Sequence, residues 1–299
     1  MKMKKIIQKS ILIIVLMLLP ATLFAAGTTE VTARERQFDP AFRTLDLPYE
    51  AKLALRDTPV TIAFDFSEQQ DLYYRFHETI ATTVEAPEIA GSSLWEMEAA
   101  VEFALTGIGT AQLTYQPMEQ QLTIDGTSVP SKMLVTIQRF LHEDGTYPDD
   151  SELNLLYRLQ FPVTADALSS GATVTFPVEL PLPGVQAEWL YPGELELTHA
   201  GYVTIEDKSY VKLLADVSFG GSAESAYPFA EITGSGHGVS YYDPQEGRFY
   251  YSRFKLALAI AEADLTPGLN RFTELPGGNG ITERSYTIDS LFQLTEQKQ

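Results

Sequence analysis

The sequence contains no cysteine in 299 residues. That removes disulfides, thiolate metal sites and thiol catalysis together. Histidine occurs four times and tryptophan twice, too thinly for a histidine-rich metal tract. Basic residues are scarce, 21 against 40 acidic ones, for a net charge of −19. Four lysines (Lys2, Lys4, Lys5, Lys9) and no acid fall in the first 26 residues, so residues 27–299 carry 17 basic against 40 acidic groups, or −23. Such a field repels phosphate backbones and anionic lipid surfaces, which argues against nucleic-acid partners and electrostatic membrane docking. Apolar patterns with helical spacing are also missing, apart from a turn or two around Ala51–Leu55 and Asp166–Leu168. Disorder is excluded in the other direction: 44% of residues are hydrophobic and 11% aromatic, more than a solvated chain exposes.

What is present begins with an address. A basic start, the apolar run Ile11–Leu19, Pro20 and the small residues Ala25, Ala26 and Gly27 predict a secretory signal peptide over 1–26, cleaved near Ala26. Nine apolar residues are too few to span a bilayer, which takes about 20. No cysteine follows for lipid attachment. The expected product is periplasmic or extracellular, with no membrane span after cleavage.

Period-two alternation dominates the rest. Trp95, Met97, Ala99, Val101, Phe103 and Leu105 alternate with Glu96, Glu98, Ala100, Glu102, Ala104 and Thr106, the signature of a strand with one wet face. Similar runs occupy Leu153–Val163, Val211–Phe219, Phe254–Ile260 and Tyr286–Leu294. Shorter candidates are Val60–Phe66, Leu72–Val84, Ala111–Tyr115, Met133–Ile137, Val174–Leu180 and Val239–Tyr241. Turn chemistry separates them at Asp125-Gly126, Glu143-Asp144-Gly145, Ser170-Gly171, Gly220-Gly221 and Asp243–Gly247. The apolar phase changes between Phe249/Tyr251 and Phe254/Leu256, which predicts a β-bulge near Ser252-Arg253. The fold class expected is all-β, mostly antiparallel, in two curved-sheet or half-barrel lobes. Prolines crowd at Phe176–Gly184 and Pro192-Gly193, giving an N-terminal arm (27–57), a first lobe (58–180) and a second lobe (181–295). A single continuous curved sheet with a proline-rich edge is the competing arrangement.

The residues that suggest chemistry are few. His77-Glu78 opens His-Glu-Thr-Ile-Ala, where a zinc-protease motif needs a second histidine at Ala81; a strand position is expected for His77. His142-Glu143-Asp144 lies in an acidic loop whose spacing matches no calcium site. Gly234-Ser-Gly-His-Gly238 has neither the flanks of a nucleophile elbow nor a following helix to cradle phosphate, so glycine's backbone freedom at a sheet edge or bulge is expected there. His199 is expected on a strand surface. Glu96 and Glu98, two residues apart on one strand face, are the best carboxylate pair for a glycosidase-like reaction. Trp95, Trp189, Tyr73, Tyr74, Tyr191, Tyr241, Tyr242, Tyr250 and Tyr251 are candidates for a ligand-lining aromatic face, though most belong in core or half-buried sheet positions. No catalytic, cofactor-binding or metal-ligating residue is assigned.

The segments Gly236–Ser252 and Leu180–Trp189 resemble a loose group of uncharacterised secreted bacterial β proteins in which a strand, an Asp-Gly turn and a long strand close each lobe. The architecture is also similar to the curved half-barrel of lipoprotein-carrier proteins. The resemblance implies a fold and an acyl chain held against a concave face, and transfers no functional residue. The function expected is an exported, non-enzymatic β protein that binds a lipid-like ligand or an envelope protein. A secreted hydrolase with paired carboxylates and a structural surface-interaction protein are the alternatives.

Overall fold

The structure, a computed structural model, describes residues 58–67, 71–86, 89–106, 109–129, 137–145, 159–183, 188–205, 207–222, 230–263 and 281–295. They belong to one compact unit, Leu45–Gln299. Its strands are β1 (Leu72–Ala86), β2 (Ile89–Leu105), β3 (Thr110–Ile124), β4 (Thr127–Val129), β5 (Ile137–His142) and β6 (Thr173–Pro183), followed by β7 (Glu188–Ile205), β8 (Lys208–Ser222), β9 (Ala230–Asp243), β10 (Arg248–Ala263) and β11 (Ile281–Thr295). All join a single open sheet in the order β4-β3-β2-β1-β11-β10-β9-β8-β7-β6, with β5 on β3 below β4. Every pairing is antiparallel. The last strand returns to the first: β11 pairs with β1 from Tyr73↔Thr295 to Glu85↔Glu283. The all-β, antiparallel expectation holds.

Alternation places one face inward along every strand. On β2, Trp95, Met97, Ala99, Val101 and Phe103 are buried while Glu96, Glu98, Ala100 and Glu102 keep solvent contact, as the sequence period requires. β1 matches with Leu72, Tyr74, Phe76 and Ile80, and β11 with Tyr286, Ile288 and Phe292. The sheet is strongly concave on this side. Tyr115 on β3 and Phe292 on β11 lie three strand spacings apart, about 14 Å on a flat sheet, yet their ring centroids are 6.3 Å apart.

The turns follow their residues. Asp125 (φ 47°) and Gly126 (φ 75°) are the two left-handed residues of a two-residue hairpin between β3 and β4. The β9–β10 turn is held by Asp243 Oδ1, which accepts from the N–H groups of Gln245 (2.9 Å) and Glu246 (3.2 Å). Gly220-Gly221 instead lies near the end of β8. The β9–β10 bulge falls between Phe249 and Tyr251, at Tyr250, a little before the position predicted. The proline-rich stretch forms β6, the edge strand, and its hairpin to β7. An edge tolerates Pro177 because one side of such a strand has no ladder to complete.

Two segments read as strands are not strands of the sheet. Residues 58–67 make one isolated bridge, Val60↔Leu168, and at the end of the Leu153–Val163 run Leu159 and Gln160 are helical while Phe161–Val163 are irregular; residues 153–158 lie outside the described residues, as do 133–136 and 51–55. Asp166–Leu168 forms no helix. In 58–67 alternation reports extended backbone with one buried side, Ile62, Phe64 and Phe66, which packs on the concave wall instead of pairing in a ladder, whereas Leu159–Pro162 are buried one after another without alternation. Phe64 and Asp65 donate their N–H groups to Glu143 O (3.1 Å) and Gly247 O (2.8 Å). Tyr242 O–H donates to Ala63 O at 2.7 Å, and Thr164 N–H to Ile62 O at 2.8 Å.

Phe161 is the hub of this inner layer. Its ring lies 5.0 Å from Phe292, 5.4 Å from Phe64 and Phe249, 6.1 Å from Phe103 and 6.3 Å from Tyr74, so it ties β2, β1, β11 and β10 to residues 58–67.

The Gly234, Gly236 and Gly238 series also sits differently from expectation. It occupies the middle of β9, between β8 and β10, with all three α-carbons on the inner face. None has the positive φ of a turn glycine. Absence of a side chain is what matters: a Cβ on Gly236 would stand 2.8 Å from Val217 Cγ1 and 3.0 Å from Leu256 Cδ1, and one on Gly238 3.4 Å from Leu159 O. The stripe lets flanking side chains and the inner segment close over β9.

Truncating Phe161 to Ala should cost about 3–5 kcal/mol by urea denaturation. Gly236→Ala should cost about 1–3 kcal/mol through overpacking. Gly220→Ala, with open space around its Cβ, should leave the midpoint nearly unchanged.

Candidate functional site

The concave wall extends well beyond the described segments that pack on it. A 15-residue strand spans about 50 Å. The hydrogen bonds and ring contacts of 58–67 and 159–168 fall toward one end, where β1 begins and β9 turns into β10, on Phe103, Tyr74, Phe292, Phe249, Tyr242, Ser252 and His199. The other half of the wall is equally apolar: Ile80, Trp95, Met97, Leu256, Leu258, Ile260, Ile232, Val217, Phe219 and Tyr286 are all buried.

Between the two halves stands Glu78. Parity puts it in line with Tyr74, Phe76 and Ile80 on the inner face of β1, and the register sets it opposite Met97 on β2 and Ser290 on β11. Its carboxylate has no hydrogen-bond or ion-pair partner among the described residues. The charged group that faces it is Arg139, inward on β5 beside Leu113. Burial in the wall pushes the Glu78 carboxyl up to about 7, and the Arg139 guanidinium pulls it down by less. A half-buried carboxyl with a near-neutral pKa on a hydrophobic surface is the most chemically unusual group on this face. Sequence reasoning set Glu78 aside with His77 as half of a failed zinc motif; the available signal was an acid in phase with three apolar neighbours.

A second polar group sits beneath the inner layer. Gln160, 1% exposed, donates from Nε2 to Ser252 O at 2.9 Å; Ser252 O–H donates to Gln160 O and shares a 2.9 Å hydroxyl contact with Ser240. These bonds anchor the inner segment to β10 and β9. His199, expected at the surface, is fully buried: its strand position faces inward, its Nδ1 lies 3.2 Å from Leu168 O, and its ring packs 5.3 Å from Tyr202. Its Nε2 has no partner among the described residues.

The other candidates are dispersed. His77 is on the outer face of β1, 3.4 Å from Thr79 Oγ1, in the strand position expected. Glu96 and Glu98 are on the outer face of β2, and Glu98 is ion-paired with Arg75, so they do not face one another across a cleft. His142 Nδ1 contacts Thr110 Oγ1 at 3.2 Å, while Glu143 accepts the Phe66 N–H at 3.3 Å and clasps the inner segment. His237 pairs with Asp216 on the outer face, and Ser235 points outward in mid-strand. Among the aromatics, Trp95, Tyr74, Tyr191 and Tyr242 face inward. Tyr241 and Tyr251 belong to a separate buried cluster with Val203, Ile205, Tyr210 and Val239, against which Tyr250 packs. Tyr73 is on the outer face of β1, where its hydroxyl donates to Glu102 at 3.2 Å. The Trp189 side chain lies outside the described residues. A shallow depression lined by Tyr73, Ala100, Glu102, Gln116 and Thr295 has room for about one water molecule.

Across the outer face of β10 and β11, desolvation pushes the Asp289 carboxyl up, but hydrogen bonds from Arg253 (2.9 and 2.8 Å) and the charges of Arg253 and Lys255 outweigh it and hold it below the ordinary carboxylate range.

No protein-family model matches the chain, and no curated protein sequence matches it. Among solved structures it is similar to lipovitellin, in a structure concerned with lipid–protein interactions, at a TM-score of 0.42 and 10% identity over 79% of this chain and 26% of that one. The chain thus spans about a quarter of the lipovitellin chain. It is also similar to the translocator domain of the autotransporter NalP from Neisseria meningitidis (TM-score 0.21, 8% identity, 77% and 90% covered). A DUF1329 family protein from Desulfovibrio piger gives a TM-score of 0.13 at 8% identity, with 78% and 89% covered. These neighbours are all β-rich and too distant to assign a role.

The raised Glu78 pKa has a signed consequence. The native state holds this proton to higher pH than the unfolded chain, so its contribution to stability is fully present below about pH 4.5 and is lost as pH climbs through about 7. Asp289 acts in the opposite sense, stabilising above the ordinary carboxylate pKa and losing that contribution as pH falls. Glu78→Gln should therefore gain on the wild type between pH 4.5 and 7.5, by up to roughly 3 kcal/mol. Parallel urea curves for the two proteins across that range would show the Glu78 assignment to be wrong.

Proposed function

We propose that this chain is an exported, non-enzymatic β protein that holds an apolar or amphiphilic ligand along the concave face of its sheet. The carrying observation is the inner wall itself, apolar on strand after strand and interrupted by the unpaired carboxyl of Glu78. A wall of this kind binds through area, with a few placed polar groups fixing orientation. Tyr74, Phe76 and Phe161 pack with the inner segments; Ile80, Trp95, Leu256 and Leu258, buried in this structure, form the apolar surface that an acyl or other aliphatic chain would reach by displacing their present cover. The secretory leader read from the sequence supports a periplasmic or extracellular setting, where amphiphiles need protein cover in water.

An enzymatic reading draws less support. The best carboxylate pair is split by the Glu98–Arg75 ion pair and lies on an open sheet face, and among the described residues no three His, Asp or Glu side chains converge as a metal site.

Native mass spectrometry of the protein taken gently from the periplasm or medium, with an organic extract of the same sample, tests the proposal. The expected result is a stoichiometric extra mass of lipid-like composition that the solvent removes. A bare chain that also fails to take up a supplied single-chain amphiphile would overturn it and leave a structural or partner-binding role.

A further inference from the structure

We infer that the ligand's polar end is cationic, an ammonium group seated on Glu78, with its aliphatic chain running away from β9's turn along Ile80 and Trp95. This rests on the ligand-binding reading above and deepens it.

Four observations lead to the cation. First, the carboxylate has apolar neighbours along its own strand, Phe76 and Ile80, and across it Met97; Ser290 is the nearest uncharged polar neighbour by register. Second, no group among the described residues makes a hydrogen bond or ion pair with it, whereas Gln160, Ser252 and Ser240 are bonded to one another and His199 to Leu168 O, the unpartnered inward atoms there, Gln160 Oε1 and His199 Nε2, carrying no charge to neutralise. Third, Arg139 acts on it from β5 without a hydrogen bond and lowers its pKa by less than burial raises it, leaving the carboxylate oxygens free of any donor among the described residues. Fourth, the whole chain carries −19, which draws cations in and turns anionic amphiphiles away. An ammonium head presents either N–H donors or a soft methyl surface, and both suit a carboxylate ringed by Phe76, Met97 and Ile80.

The position of Trp95 makes the idea measurable. It is the register partner of Ile80, two residues along β1 from Glu78, and 6% exposed, so a chain that displaces its present cover alters its emission. In a Trp189→Phe background Trp95 is the only tryptophan. The probes are dodecyltrimethylammonium, dodecyl maltoside and dodecyl sulfate, each below its micelle concentration, at constant ionic strength and pH 8. The expected result is binding of the cationic probe about tenfold tighter than the neutral one, with the sulfate weakest. Glu78→Gln should retain the neutral probe and lose the preference for the cation. Because that variant also changes stability, the unmutated site is titrated at pH 5, where protonation of Glu78 should shrink the same preference.

Equal affinity for cationic and neutral probes would overturn the cation assignment and leave the ligand-binding reading standing. So would a preference that survives both Glu78→Gln and pH 5, which would trace it to net charge alone. No response to any of the three probes would overturn both.

Discussion

Everything in this protein depends on burying one face of an open sheet whose strands run to 18 residues. An unclosed antiparallel sheet has no opposite wall supplied by closure, so its apolar face must find cover from curvature and from chain laid across it. Both devices are visible. The wall bends until Tyr115 and Phe292 touch across three strand spacings, and residues 58–67 and 159–168 cross the resulting hollow, pinned by Phe161. Those segments carry no ladder of their own. Backbone groups of 58–67 are met by Glu143, Gly247, Tyr242, Thr164 and Leu168, which is why chain outside the sheet is tolerated in the interior.

The glycines of β9 belong to the same constraint. A strand in the middle of a tightly curved sheet brings inner side chains from both neighbours toward one line. Removing three side chains from that line lets Val217, Leu256, Leu258 and the Leu159 carbonyl approach. Residues that look like a catalytic or phosphate loop in sequence are thereby accounted for by packing density.

Glu78 stands apart because it violates the pattern that the rest of the wall obeys. Buried polar groups elsewhere on the inner face serve the architecture: Gln160 with Ser252 and Ser240 fastens the inner segment. Glu78 fastens nothing. A carboxyl kept at a cost to stability near neutral pH, in the middle of a buried apolar wall, is the kind of exception that marks a site rather than a scaffold.

By itself the sequence determined the local state and the facing of most residues. The alternation of Trp95 through Phe103, the Asp125-Gly126 and Asp243–Gly247 turns and the antiparallel all-β class are consequences of side-chain period and of backbone preferences that act within a few residues. Tertiary structure decided what those residues face. Period two cannot distinguish a strand that pairs from an extended chain that packs, so Val60–Phe66 became part of an inner layer, and Leu159–Val163 joined it with Leu159 and Gln160 in helical backbone. His199 lies inside because β7 curves over Leu168, and the bulge settled at Tyr250 rather than at Ser252-Arg253. Glu78 is only one acid among forty on paper. Its apolar setting arises when β2, β5 and β11, drawn from positions up to some two hundred residues away, assemble around it, because desolvation and charge depend on neighbours in space and not on neighbours in the chain.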